Sequence, residues 1–104
     1  MAMDMNQMMK QAQKMQLELA RAQEEIKTLS FTTTSGGGMV AVTALGDGTI
    51  EGIKIDPQVV DPDDVEMLED MVLVAVNEAL RGVAEQGEAR INAVTGGMNI
   101  PGLF

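Results

Sequence analysis

The sequence predicts an α+β protomer: a long N-terminal helix, a three-stranded antiparallel β-meander and a long C-terminal helix. Three observations carry this. Apolar residues near the start step by three and four, those from Phe31 to Ile55 alternate, and those from Val65 onward return to helical spacing. With 104 residues the chain is expected to be a single domain over 1–95, followed by a Gly/Pro-containing tail over 96–104.

From Asp4 to Leu29 there is neither Gly nor Pro, and Met, Gln, Ala, Lys and Glu dominate, all good helix formers. Met5, Met8, Ala12, Met15, Leu19, Ala22, Ile26 and Leu29 form an unbroken 3-4 repeat. Such a narrow stripe suits contact with another helix, either within the chain or from a second copy. Met8, Met15, Leu19 and Ile26 are the candidate seam. On the side away from it, Lys10, Lys14 and Arg21 fall within about 40° of one another. A solvated helix face explains such charges simply. The functional alternative is a stripe that tracks phosphates, with Asn6, Gln7, Gln11 and Gln13 beside it as hydrogen-bonding amides.

Phe31–Ser35 and Met39–Leu45 read as strands joined by Gly36-Gly37-Gly38, and Gly46-Asp47-Gly48 reads as the next hairpin turn. In the third strand, Thr49–Ile55, Ile50 is out of phase with Ile53 and Ile55, which predicts a bulge near Gly52. The three glycines lack the following Lys-Ser or Lys-Thr of a phosphate-cradling loop and lead into a strand, so they are read as a hairpin connection.

Asp61 reads as the N-cap of the last helix, with Pro62 at its first position and Asp63 and Asp64 in the first turn. Calcium-loop spacing is absent, so capping is preferred to a metal site. From Val65 to Ala84 the apolar arc is too wide for one contact, and this helix is expected to be the most buried element. It is expected to continue through Gly82 and Gly87 to Val94, weakened at those glycines, and to be stopped by Thr95-Gly96-Gly97.

Composition excludes most chemistry. The chain has no His, Cys, Trp or Tyr, and its only serines are Ser30 and Ser35. No nucleophile–base pair can be named, so no catalytic residue, metal, cofactor or small-molecule substrate is expected. The start lacks a basic segment before an apolar run, and no stretch has the length of a membrane span, so a cytoplasmic protein is expected. The net charge of −9 is uneven: residues 1–30 carry four basic and four acidic side chains, residues 31–104 three against twelve. An anionic partner would therefore meet the first helix most easily.

The sequence resembles the YbaB/EbfC family of nucleoid-associated proteins. The resemblance runs nearly end to end. It rests on Asn6-Gln7-Met8-Met9-Lys10-Gln11-Ala12-Gln13-Lys14-Met15-Gln16, Gly36-Gly37-Gly38-Met39-Val40-Ala41-Val42, Ile53-Lys54-Ile55-Asp56-Pro57, the segment Asp61 to Asp70, and Thr95 to Phe104. It implies a tweezer-like homodimer and a non-enzymatic protein that binds duplex DNA in the nucleoid. It also implies DNA contacts from Lys10, Lys14 and Arg21 on the first helix and from Arg81 and Arg90 on the last. With so few cations, binding is expected to be weak, salt-sensitive and largely indifferent to base sequence. The alternative is a dimeric protein-interaction module, since ten methionines among 104 residues supply an adaptable apolar surface.

Overall fold

The computed structural model describes residues 4–96. The order is helix α1 (Met5–Lys27), strands β1 (Ser30–Ser35), β2 (Val40–Leu45) and β3 (Ile50–Ile55), a 3-10 turn (Pro57–Val59), and helix α2 (Val65–Thr95). The α+β class and the meander are as expected, with strand order β1-β2-β3 and both pairings antiparallel. No described helix is long and apolar enough to cross a membrane. The expected tail from Gly97 to Phe104 lies outside the described residues.

Asp4 caps α1, its Oδ1 accepting the backbone N–H of Gln7 at 2.7 Å. At the other end the Thr28 hydroxyl donates to the Glu25 carbonyl at 2.7 Å, and the chain turns into β1. The bulge falls where the isoleucine phase predicts it. Thr43 pairs with Gly52 but Ala44 pairs with Ile50, so Glu51 is the extra residue and Ile50, Ile53 and Ile55 share one face.

That face meets α2. Val40, Val42 and Ala44 pack on Ala75, Ala79 and Val83, flanked by Leu29, Phe31, Ile50, Leu68, Val72 and Val76. The most buried element is therefore β2 rather than α2: Leu73 and Val74 of the helix remain exposed. The helix runs along β1 and β2 and leaves β3 largely uncovered, with Ile53 46% and Ile55 39% exposed. Between β3 and α2 lies an apolar groove of about 510 Å3, lined by Ile55, Leu68, Val72, Leu73 and Val76 with Glu69 at its edge.

One further expectation is corrected. Helix α2 starts at Val65, and its N-cap is Asp64, whose Oδ1 accepts from the Met67 N–H at 3.2 Å. Asp61 instead closes the preceding turn, accepting from the Asp63 and Asp64 backbone N–H groups at 2.9 and 3.0 Å. As expected, the helix continues through Gly82 and Gly87; it runs to Thr95 and ends on left-handed Gly96 at φ 65°. Both glycines are packing sites: a Cβ at 82 would collide with the Phe31 ring, and one at 87 would touch Ile26 at 3.4 Å. The missing side chains admit the neighbours that hold the layers together.

Helix α1 packs antiparallel on the end of α2. Ile26 lies over Gly87, Glu25 meets Arg90, and Glu18, Arg21 and Ala22 line a crevice with Ala93 and Val94. The seam divides accordingly. Ala22 is buried and Met15, Leu19 and Ile26 half-buried, whereas every residue from Asp4 to Lys14 is exposed, Met8 at 56% among them. The first half of α1 thus projects past the end of α2 as an arm. The radius of gyration is 20.1 Å and the longest extent 72 Å, against about 13 Å for a compact chain of this length.

Candidate nucleic-acid interface

The geometry of α1 sorts the five candidate cations. Lys10 and Lys14 stand on the projecting arm, both exposed. Lys14 is 4.0 Å from Glu18 one turn on, an exposed pair that holds it loosely. Arg21 sits where the arm meets α2, in the same crevice as Glu18, Glu25 and Arg90. Arg90 faces α1 rather than solvent alone: its Nη1 donates to Glu25 Oε2 at 2.7 Å. Arg81 is exposed, nine residues before Arg90 and so about 180° around α2 from it.

The structure therefore brings Arg21 and Arg90 together and leaves Arg81 apart on the opposite face. Nothing in the local sequence announces the Arg90–Glu25 pair, whose members are 65 residues apart. Antiparallel packing of α1 on α2 would have found it. Lys27 joins Glu24 at 3.1 Å across one turn, and Lys54 lies on β3, outside the α1 stripe.

Six of the sixteen acidic residues lie far from the arm, while Glu18 and Glu25 line the crevice and Glu85 and Glu88 are exposed on the last part of α2. Asp61, Asp63, Asp64, Glu66, Glu69 and Asp70 cluster at the start of α2, all exposed. The crevice with Arg90 lies near its end. Thirty residues of helix separate Val65 from Thr95, about 45 Å. That is several times the Debye length of about 8 Å at physiological ionic strength, so the acidic end screens out before it reaches the arm. Among the described residues no group of acidic side chains is arranged to hold a metal ion. The Asp47 carboxyl is held below the usual aspartate range through hydrogen bonds from the Thr49 hydroxyl and backbone N–H in the β2–β3 turn, beside the last turn of α1.

The sequence matches the profile of the YbaB/EbfC DNA-binding family over residues 1–98. A nucleoid-associated protein of Acetivibrio thermocellus is 53% identical over 102 residues, covering 97% of this chain and 90% of the relative. One of Clostridium acetobutylicum is 51% identical over 100 residues, covering 96% and 89%. The fold matches the crystal structure of an uncharacterised protein of Helicobacter pylori with a TM-score of 0.67 at 28% identity, covering 94% of this chain and all of that one. An arm bearing lysines, an α–β–β–β–α order shared with a solved relative and near-complete similarity to nucleoid-associated proteins lead to one conclusion: the chain belongs to the YbaB/EbfC DNA-binding family.

Proposed function

We propose that this protein binds duplex DNA in the nucleoid as a homodimer, without enzymatic activity, through the basic face of the α1 arm. The observation that supports it is the separation of charge. Lys10 and Lys14 lie on a projecting helix, and the six carboxylates of the α2 start lie at the other end of the molecule. A net charge of −9 per chain then does not oppose a local phosphate contact.

The homodimer reading draws on the uncovered apolar groove between β3 and α2. Ile53, Ile55 and Leu73 are large apolar side chains exposed on one side of the core, and a second copy of the chain would cover them symmetrically. Two arms per dimer present four lysines, or six cations if Arg21 takes part, which corresponds to a log–log salt slope between about −4 and −5. The contacts are with the backbone, so little preference among base sequences follows.

The test is a gel-shift or anisotropy titration of a random-sequence duplex at several salt concentrations, on protein whose mass has been established by light scattering. Retention that weakens with that slope supports the reading. Binding that is absent at low salt, or flat between low and moderate salt, overturns it.

One observation favours a second reading. Met5, Met8 and Met9 are 74%, 56% and 56% exposed along the arm, a surface suited to an apolar protein partner. Replacing Lys10, Lys14 and Arg21 together by Gln separates the two. DNA retention is lost with the dimer intact in the first reading, and interaction is unchanged in the second.

A further inference from the structure

We infer that Arg21 and Arg90 form a phosphate-binding crevice that Glu25 holds occupied in the absence of nucleic acid. This rests on the DNA-binding reading above and adds to it a built-in competitor, Glu25, for the Arg21 and Arg90 contacts.

The crevice between α1 and α2 measures about 350 Å3 and is lined by Glu18, Arg21, Ala22 and Glu25 from one helix and by Arg90, Ala93 and Val94 from the other. Two guanidinium groups thus converge from different elements onto one pocket. Carboxylate and phosphate oxygens present the same fork to a guanidinium, so the Glu25 carboxylate at 2.7 Å from Arg90 Nη1 stands where a phosphate oxygen would stand. Arg21 has no ion-pair partner within 4 Å among the described residues, which leaves it free to join.

The balance of charge makes the arrangement adjustable. Two arginines and two glutamates sum to zero, and Glu18 is drawn along α1 toward Lys14 at 4.0 Å. Both members of the Arg90–Glu25 pair are half exposed, so solvent screens their attraction and exchange for a phosphate is easy. Replacing the Glu25 carboxylate by an amide of the same shape leaves the crevice with a net positive charge. Each protomer then gains about one phosphate contact. By counterion release that steepens the log–log salt slope by about 0.9 per protomer, about 1.8 for a dimer.

The experiment is a salt-dependent duplex titration of the full chain, wild type against E25Q, R90Q and E25Q/R90Q, with helicity checked by circular dichroism. E25Q is expected to bind about tenfold more tightly at low salt with the steeper slope. R90Q, which lacks the guanidinium that exchanges Glu25 for phosphate, is expected to bind more weakly than wild type, and the double variant to lose the gain. In the unaltered chain, side-chain NMR during a duplex titration is expected to shift the Arg21 and Arg90 guanidinium signals together. That measurement decides the matter even if E25Q loses helicity.

An E25Q that binds like wild type, a gain that survives in E25Q/R90Q, or an Arg90 signal that stays fixed as duplex binds overturns the crevice while leaving the DNA reading intact. Absence of binding by every protein, with Arg90 unmoved, overturns the reading and the crevice together.

Discussion

The Phe31 ring occupies the space in which a side chain at Gly82 would have to lie. Strand β1 approaches α2 this closely because position 82 has no Cβ. Gly82→Ala gains about 1 kcal/mol of helix propensity but forces the ring off its rotamer or the strand off the helix. We expect a net loss of about 1–3 kcal/mol in urea unfolding. Gly87→Ala meets Ile26 at an ordinary contact of 3.4 Å and is expected to be neutral or slightly stabilising. Equal effects at the two positions would contradict this account.

Gly46 poses a stricter constraint, because its missing Cβ faces the Ile26 backbone carbonyl rather than a side chain that can rotate. Its N–H also donates to the Leu29 carbonyl at 2.8 Å, tying the end of α1 to the second hairpin. Gly46→Ala is expected to cost about 2 kcal/mol or more and to lower the thermal midpoint further than Gly82→Ala does.

For the dimer, a single charge in the apolar groove is informative. Leu73→Asp alters a residue 58% exposed in the protomer, so the fold should survive with a change under about 1 kcal/mol. Light scattering is expected to give the mass of one chain for this variant and of two for the wild type. A dimer that persists would place the interface elsewhere.

The arm lysines make a separate quantitative case. Lys10→Gln with Lys14→Gln removes two phosphate contacts per protomer and flattens the salt slope by about 1.8 per arm. Arg81→Gln, on the opposite face of α2 from Arg90, is expected to change the slope much less.

The β2–β3 turn carries a pH signature. Hydrogen bonds from Thr49 depress the Asp47 carboxyl below its usual range, so the folded state holds the ionised form more tightly than the unfolded chain does. Its stabilising effect is complete above the unfolded pKa and disappears as pH falls through the lower folded one. NMR titration of the Asp47 side chain is expected to find its midpoint below the ordinary value of an aspartate in an unfolded chain. Thr49→Val, which removes the hydroxyl donor, should move that midpoint back up.

Periodicity made the architecture legible. The isoleucine phase break located the bulge to within a residue, and the 3-4 repeat marked α1. Composition was misleading where a residue's value lay in what it makes room for. Gly82 and Gly87 read as weak points because helix propensity is local, whereas their use depends on Phe31 and Ile26, more than fifty residues away. The α2 boundary shifted for a related reason. Asp61 and Asp64 are both good caps, and hydrogen bonding inside the turn chose between them. Among the site residues, the α1 stripe followed from spacing alone. The meeting of Arg90 with Glu25 needed the packing angle of two helices, which no window of sequence contains.

The arm from Met5 to Lys14 carries a consequence for the protein's local stability. About three turns of helix, exposed at every residue, lie near or below the length at which an isolated helix holds in water. Backbone protection should therefore fall steadily from Lys27 toward Met5, so that hydrogen exchange along one helix spans most of the range found in the whole molecule. A partner that grips Lys10 and Lys14 must complete that helix as it binds, and the heat of folding those turns becomes part of the heat of association.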